Sequence, residues 1–437
     1  MRESSVNAEG SGTRRRLVIV ADDLTGAADA AAAFAPSATT SVVLRQTDRS
    51  PVREVLSVDT NSRYLTAPES TAAVESAVAQ AVRLEADLYK KIDSTLRGNV
   101  VAEVAATLRT AGAELALIAP AFPSTGRTVV DGIVHVDGRP LPGGNLQHLF
   151  SEGELKTAVV GLGTVRAGAR ALQGAIERHQ RDGALAICID AETDDDLRVV
   201  RDVTVASSVT VVPVGSAGLA RVMSAAWATP SHGSLPLPAS RQGAVLMVLG
   251  SYSSVARAQV RALTSKATTV TIAEPFGSAE ILRAGAKLRQ ALSGGDAVLV
   301  PDPASPVRRD RAARIADALA TVGGGALSEQ HDQLAGCLLS GGETARAVLL
   351  AAGVATVDIS GELEPGIVLA SAPDLDGLPL VTKAGAFGDP GALERARVAL
   401  HRGAGLSAHP INPATTQNHH GVPPLANHTS NGHHHAA

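Results

Sequence analysis

Leu17-Val18-Ile19-Val20-Ala21-Asp22-Asp23-Leu24-Thr25-Gly26-Ala27-Ala28-Asp29 decides the reading of this chain. The apolar run Leu17 to Ala21 predicts a buried parallel strand. Two carboxylates follow at its carboxyl end, then Thr25 and Gly26, then an alanine-rich helix. Open α/β sheets bind ligands outside the carboxyl ends of their strands, so this strand delivers Asp22 and Asp23 to where such folds place chemistry. Asp23 or Thr25 also suits the N-cap of the helix, but a cap does not need two adjacent acids.

The same grammar repeats outward from this stretch. Strands are expected at Thr40–Leu44, Val55–Val58 and Leu115–Ala119, with helices over Pro68–Asp87 and Val100–Ala111. Polar clusters stand just after strands: Asp59-Thr60-Asn61-Ser62-Arg63, Lys91-Ile92-Asp93-Ser94-Thr95-Leu96-Arg97 and a Pro-punctuated loop ending in Arg127. Thr128 to Pro142 predicts a hairpin turning at Asp137-Gly138. Helices at Ala167–Arg181 and Asp194–Val203 and strands at Ala184–Ile189 and Val209–Val214 complete the first half. Residues 229–242, with Pro230, Pro236 and Pro238, have linker composition. The pattern then restarts with strands at Ala244–Leu249, Ala297–Val300, Leu334–Leu339 and Pro379–Thr382. The fold class is α/β: two domains, each a doubly wound, mainly parallel sheet, with the active site in the cleft between them. The expected division is a disordered 1–15, a first domain 16–228, a linker 229–242, a second domain 243–403 and a disordered His/Asn-rich tail 404–437.

With 437 residues the chain has room for two cores, and its net charge of −4 gives no reason to expect nucleic acid or a membrane surface as partner. Aromatics are only 2% of residues, which argues against stacking on bases. Cys188 and Cys337 sit far apart in apolar runs and read as buried small hydrophobes. No apolar run is long enough to span a membrane, and the expected setting is cytoplasmic. The tail histidines lack Cys or carboxylate companions and read as disordered rather than metal-binding.

In the second half, Ser340-Gly341-Gly342-Glu343-Thr344, Gly250-Ser251-Tyr252-Ser253 and Lys383-Ala384-Gly385 with Gly388 each follow a strand. Glycines there let backbone N–H groups approach an anion, and a helix N-terminus adds a favourable dipole. The nucleotide contacts expected are Ser251, Ser253, Gly341, Gly342, Glu343, Thr344, Lys383, Gly385 and Gly388. In the first half, Arg63, Lys91, Arg97 and Arg127 suit a carboxylate, while Thr25, Asp59, Asn61 and Ser94 suit hydroxyls; this set predicts a small, polyhydroxylated acid as substrate. Transfer between the two requires a base, for which Asp22, Asp23 and Asp93 are open candidates.

These motifs resemble the four-carbon acid sugar kinases. The family's A-D-D-L-T-G-A-x-D is matched at 21–29, D-T-x-S/T-R at 59–63, K-x-D-S-T-L-R-G-N at 91–99 and A-P-A-F-P-x-x-G-R at 119–127. G-S-A-G-L-A follows at 215–220, G-S-x-S at 250–253, S-G-G-E-T at 340–344 and K-x-G-x-F-G at 383–388. The resemblance spans about residues 16 to 402. It implies ATP-dependent phosphorylation of threonate, erythronate or 3-oxo-tetronate at the terminal 4-hydroxyl, with Mg²⁺ on the ATP phosphates and Glu343 as its candidate ligand. Tyr252, Ala256 and Ala384 depart from the commoner Cys, Thr and Ser at those places. A sugar-acid sensor that has lost transfer is the alternative. A dehydrogenase is disfavoured, because no dinucleotide fingerprint follows the first strand. Homo-oligomerisation is compatible with all of these.

Overall fold

A computed structural model describes residues 16–46, 51, 53–151, 153, 155–227, 235, 237–250, 253–303, 312–385 and 387–403. The expectations for 1–15, for Ser251 and Tyr252, for half of 229–242 and for 404–437 lie outside the described residues. The first half contributes β1 (Leu17–Ala21), β2 (Thr40–Val43), β3 (Val55–Asp59), β4 (Asp87–Lys91), β5 (Leu115–Ala119), β6 (Arg127–Val130), β7 (Ile133–Val136), β8 (Arg139–Asn145), β9 (Thr157–Val160), β10 (Ala186–Ile189) and β11 (Val211–Gly215). The second contributes β12 (Ala244–Leu249), β13 (Thr268–Ile272), β14 (Ala297–Pro301), β15 (Leu334–Ser340), β16 (Thr356–Glu364), β17 (Ile367–Ala372) and β18 (Leu378–Lys383).

Helices alternate with these strands, and the sheet order 2-3-1-4-11-5-10-9 of the first half is parallel throughout. The second half has its own parallel set, 13-14-12-15-18. The two sets are joined: antiparallel β17 and β16 lie between β18 and β2, so a single 15-stranded sheet runs through the molecule. Two intervening antiparallel strands leave the two parallel sets running in opposite senses. Strand twist of about 20–25° per step, accumulated over the six steps from β15 to β1, turns their carboxyl ends back toward one another.

β1 is buried along its whole length, as a two-sided parallel strand must be. The alanine-rich helix Leu24–Ala32 explains its own composition. Ala27, Ala28 and Ala31 share an apolar cluster with Ala345, Val348 and Leu349 of the helix Gly342–Ala351 and with Val357 and Ile359 of β16. Small side chains allow a first-half helix to enter the second-half core at close range.

The expected hairpin at Thr128–Pro142 is a three-stranded meander, β6-β7-β8. Asp131-Gly132 turns as well as Asp137-Gly138, with all four residues at positive φ, the condition for type I′ hairpins. Cys188 and Cys337 are buried and unpaired, as their apolar surroundings require. Among the described residues no helix is long and apolar enough to cross a membrane.

Candidate active site

The carboxyl ends of β1, β3, β4, β12, β15 and β18 meet around a cleft of about 350 Å³. Asp23, Thr25, Asn61, Arg63, Tyr64 and Arg97 line it from the first half. Gly250, Ser253, Gly341 to Thr344, Ala384, Gly385 and Phe387 line it from the second.

Arg63 is the centre of the first wall. It is 9% exposed, and its guanidinium grips Asp22 through Nε (2.7 Å to Oδ2) and Nη2 (2.8 Å to Oδ1). The same fork donates to Asp23 through Nη1 at 2.7 Å and Nη2 at 2.9 Å, and Asp93 lies 3.6 Å away. Burial opposes the positive charge, but Asp23 and Asp22 outweigh it and hold Arg63 protonated more firmly than a free guanidinium.

Asp23 also caps the helix Leu24–Ala32, accepting from Gly26 N at 2.8 Å, and Thr25 Oγ1 donates to its Oδ2 at 2.8 Å. Capping and site membership therefore coexist in one side chain. Of the three candidate bases, Asp23 alone lines the cleft. Asp22 is buried behind it, with both oxygens on Arg63.

Asp93 is buried and accepts from Arg97 Nη2 at 2.6 Å, Arg97 Nε at 3.0 Å and Thr95 N at 2.9 Å. Burial favours its neutral form, yet the Arg97 hydrogen bonds and the Arg63 charge prevail and hold the carboxyl well below the usual carboxylate range. Arg97 keeps 58% of its side chain exposed and so retains donors for a ligand. Ser94 is half-buried beside Asp93.

The lysines of β4 are not a solvated pair. Lys90 is fully buried with Nζ 2.7 Å from Glu103 Oε2, and Glu103 Oε1 accepts from Ser62 Oγ at 2.7 Å, fixing the residue before Arg63. Lys91 is buried too and donates to Ile92 O at 2.8 Å.

Asp59, Lys91, Ser94 and Arg127 do not line the cleft. Asp59 turns away from the cleft: Oδ2 accepts from Arg346 Nε at 3.0 Å and Oδ1 from Asn61 N at 2.9 Å. Burial pushes its carboxyl up to about 7 despite Arg346, with Asp23 adding to the rise. Arg127 donates to Thr125 O and lies over the Phe387 ring, 5.0 Å from its centroid, which closes a contact between the halves. Its buried Nε has no acceptor among the described residues.

The second wall is built for close backbone approach. A Cβ on Gly342 would lie 2.5 Å from Asp23 Oδ2, so only glycine lets this loop come against the acidic one. Gly341 has φ +97 and opens the helix Gly342–Ala351, with Glu343 and Thr344 in its first turn. Ser253 caps the helix Ser254–Leu263 by accepting from Ala256 N at 3.0 Å and donates to Gly385 O at 3.2 Å. Lys383 is buried and donates to Ala384 O at 2.9 Å and Gly385 O at 3.4 Å, so it shapes the loop; burial pulls its ammonium down to about 8. Gly388, at φ +81, is exposed outside the lining. Glu343 is raised by burial and by the charge of Asp317.

A Cβ at Gly250 would stand 1.9 Å from Thr344 Oγ1. Gly250→Ala is therefore expected to cost about 1–3 kcal/mol of overpacking, read as a lower urea midpoint, because Thr344 is held in the helix and cannot retreat far.

Arg346, Tyr64 and Phe387 were not anticipated as site residues. Nor was the Arg221–Glu362 ion pair, which ties helix Ala217–Trp227 to β16. Arg346 and the Arg221–Glu362 pair act across long sequence separations, where no local pattern marks them, whereas Tyr64 directly follows the 59–63 motif and Phe387 lies inside the 383–388 one.

The cleft has two walls, carboxylates and arginines on one and a glycine-rich helix N-terminus on the other. The chain matches the sugar-binding N-terminal domain family over residues 17–223 and the nucleotide-binding C-terminal domain family over 246–393. It is 35% identical over 427 residues to the D-threonate kinase of Cupriavidus necator, covering 90% of this chain and 99% of that one. It is 28% identical to the D-erythronate kinase of Heliobacterium modesticaldum (85% and 94% covered) and 27% identical to the 3-oxo-tetronate kinase of Burkholderia multivorans (89% and 98%). A solved Salmonella typhimurium LT2 structure has the same fold, with a TM-score of 0.74 at 22% identity over 87% of this chain and 98% of that one. The chain belongs to the four-carbon acid sugar kinase family, and it is a kinase.

Proposed function

We propose that this kinase transfers the γ-phosphoryl group of ATP to the terminal 4-hydroxyl of a four-carbon sugar acid, with D-threonate the first candidate. The observation that carries the reading is the single cleft in which Asp23 and Arg97 face the Gly341–Thr344 loop. Three relatives at 35%, 32% and 28% identity carry the D-threonate name, which favours that acid over erythronate and the 3-oxo acid. Residues 16–228 would hold the sugar acid and 243–403 the nucleotide, in a cytoplasmic setting that supplies ATP.

Arg97, with exposed donors, is the anchor we assign to the substrate carboxylate, and the unmet Arg127 Nε is a second donor behind Phe387. Thr25 and Asn61 are placed to meet hydroxyls. Asp23 orients the 4-hydroxyl and accepts its proton as the oxygen bonds to the γ-phosphorus and the bond to the β–γ bridging oxygen breaks. A loose phosphoryl-transfer transition state needs positioning more than a strong base, so a carboxylate held by Arg63 suffices.

The Gly341–Thr344 backbone and Ser253 suit the phosphates. Among the described residues no group of three or more His, Cys, Asp or Glu could hold a metal ion. Mg²⁺ would arrive on ATP, with Glu343 as its protein carboxylate, and such an ion would neutralise phosphate charge.

The test is ADP release with ATP and Mg²⁺ across D- and L-threonate, D- and L-erythronate and the 3-oxo acids. D-Threonate is expected to give the highest kcat/KM. No turnover on any acid, with threonate still bound, would replace this reading with the sensor.

A further inference from the structure

Asp59 presents a problem that the proposed reaction does not solve. Its side chain is 0% exposed, and both oxygens are engaged by the protein itself. A buried ion pair is a poor source of stability, since desolvation offsets most of the attraction. What this pair does is connect. Arg346 belongs to the helix Gly342–Ala351, one turn after the Gly342 that touches Asp23. Its Nη2 also donates to Leu44 O at 2.9 Å, just past β2, so the guanidinium bridges from the nucleotide loop's helix to two strand ends of the other half.

On the far side, the Asp59 Oδ1 bond to Asn61 N closes the turn after β3, with Asn61 at φ +50. That turn sends Ser62 N and Arg63 N back to Asp22 O, at 3.0 and 3.2 Å, and so sets where the Arg63 fork stands. One ion pair thus holds the start of the nucleotide helix and the loop carrying Arg63 in a fixed relation.

We infer that Asp59 and Arg346 are positioning residues that couple nucleotide occupancy of the 341–344 loop to the placement of Arg63 and Asp23 on the acid side. The identity of the two ligands rests on the reading proposed above. The coupling rests on the contacts alone.

The experiment uses the full chain and its Asp59→Asn, Arg346→Gln and double variants. Calorimetry measures binding of the ATP analogue AMP-PNP with Mg²⁺. Hydrogen–deuterium exchange follows residues 60–63 with and without it, and steady-state rates are taken on D-threonate. In the wild type AMP-PNP is expected to slow exchange at 60–63 by about fivefold or more, the lower end of ordinary coupling. The single variants should bind AMP-PNP within about twofold of wild type, as for a site not itself altered, yet lose the slowing. Their kcat should fall by up to about 100-fold, the scale of a small misplacement, with KM for ATP little changed. The double variant should be no worse than the worse single one.

Asp59→Asn keeps the shape while removing a buried charge, so it decides the matter even if Arg346→Gln folds poorly. Slowing that survives in Asp59→Asn, or losses that multiply in the double variant, would overturn the coupling. AMP-PNP binding to wild type without slowing would overturn it while sparing the kinase reading. No AMP-PNP binding at all would overturn the nucleotide assignment and the coupling with it.

Discussion

Arg63→Leu is expected to lower the unfolding free energy at pH 8 by about 3–5 kcal/mol, the usual result of removing one partner from a buried charge cluster. Arg63 supplies four hydrogen bonds to Asp22 and Asp23 and stands 3.6 Å from Asp93. Leucine fills much of the space but leaves Asp22 and Asp23 close together without the cation between them. Like charges in a poorly solvated site raise one another's proton affinity. The variant's native state therefore binds protons more tightly than its unfolded chain, and its stability recovers as pH falls. Urea unfolding should show a smaller deficit at pH 5 than at pH 8. Arg63→Lys keeps the charge but not the fork, so it should recover only part of the loss. A leucine variant with the wild-type urea midpoint at pH 8 would show that the carboxylates do not depend on this guanidinium.

The parallel sheets were legible because their strands are short apolar runs followed by polar clusters, and the carboxyl-end rule then points to the candidate cleft. The junction was not. β16 does alternate, burying Val357 and Ile359 between more polar neighbours, but Gly361 and two register shifts interrupt the pattern. Its pairing with β2 joins residues more than 300 positions apart, and nothing local encodes that. The helix Ser278–Gly294 was missed for another reason: its buried face is only Ala284, Leu288 and Leu292, too sparse a stripe to stand out from a polar segment. β13 is an edge strand with exposed threonines and carries a weak pattern for its position.

The site shows a related limit. The residue types around the cleft were readable, but which of them face a ligand was not. Asp22, Asp59 and Lys91 have the chemistry to bind a sugar acid, and each is engaged by the protein. Sequence places a side chain at a strand end; it does not reveal whether a partner from another strand has already claimed it. Arg346 is the clearest instance, a helix residue with no motif that claims Asp59 from 287 positions away.

Asp23→Asn is the substitution expected to separate chemistry from architecture. Asparagine can keep the cap, since its side-chain oxygen still accepts from Gly26 N, and Asn is as good an N-cap as Asp. It remains small enough to lie against Gly342, where the loops meet. It loses the ability to accept a proton from the attacking hydroxyl, and its amide nitrogen replaces the oxygen that accepts from Arg63 Nη1 and Thr25, so some stability is lost as well. General-base removal typically costs about 10²–10⁴ in rate, so kcat on D-threonate should fall by that factor while AMP-PNP affinity stays within about threefold. Asp22→Asn offers the contrast. Asp22 does not line the cleft, so its replacement should act through Arg63 and cost stability rather than chemistry. If Asp23→Asn turned over at the wild-type rate, the base would have to be sought in Asp93. That residue is the weaker candidate, because it does not line the cleft and its hydrogen bonds from Arg97 help hold it well below the usual carboxylate range.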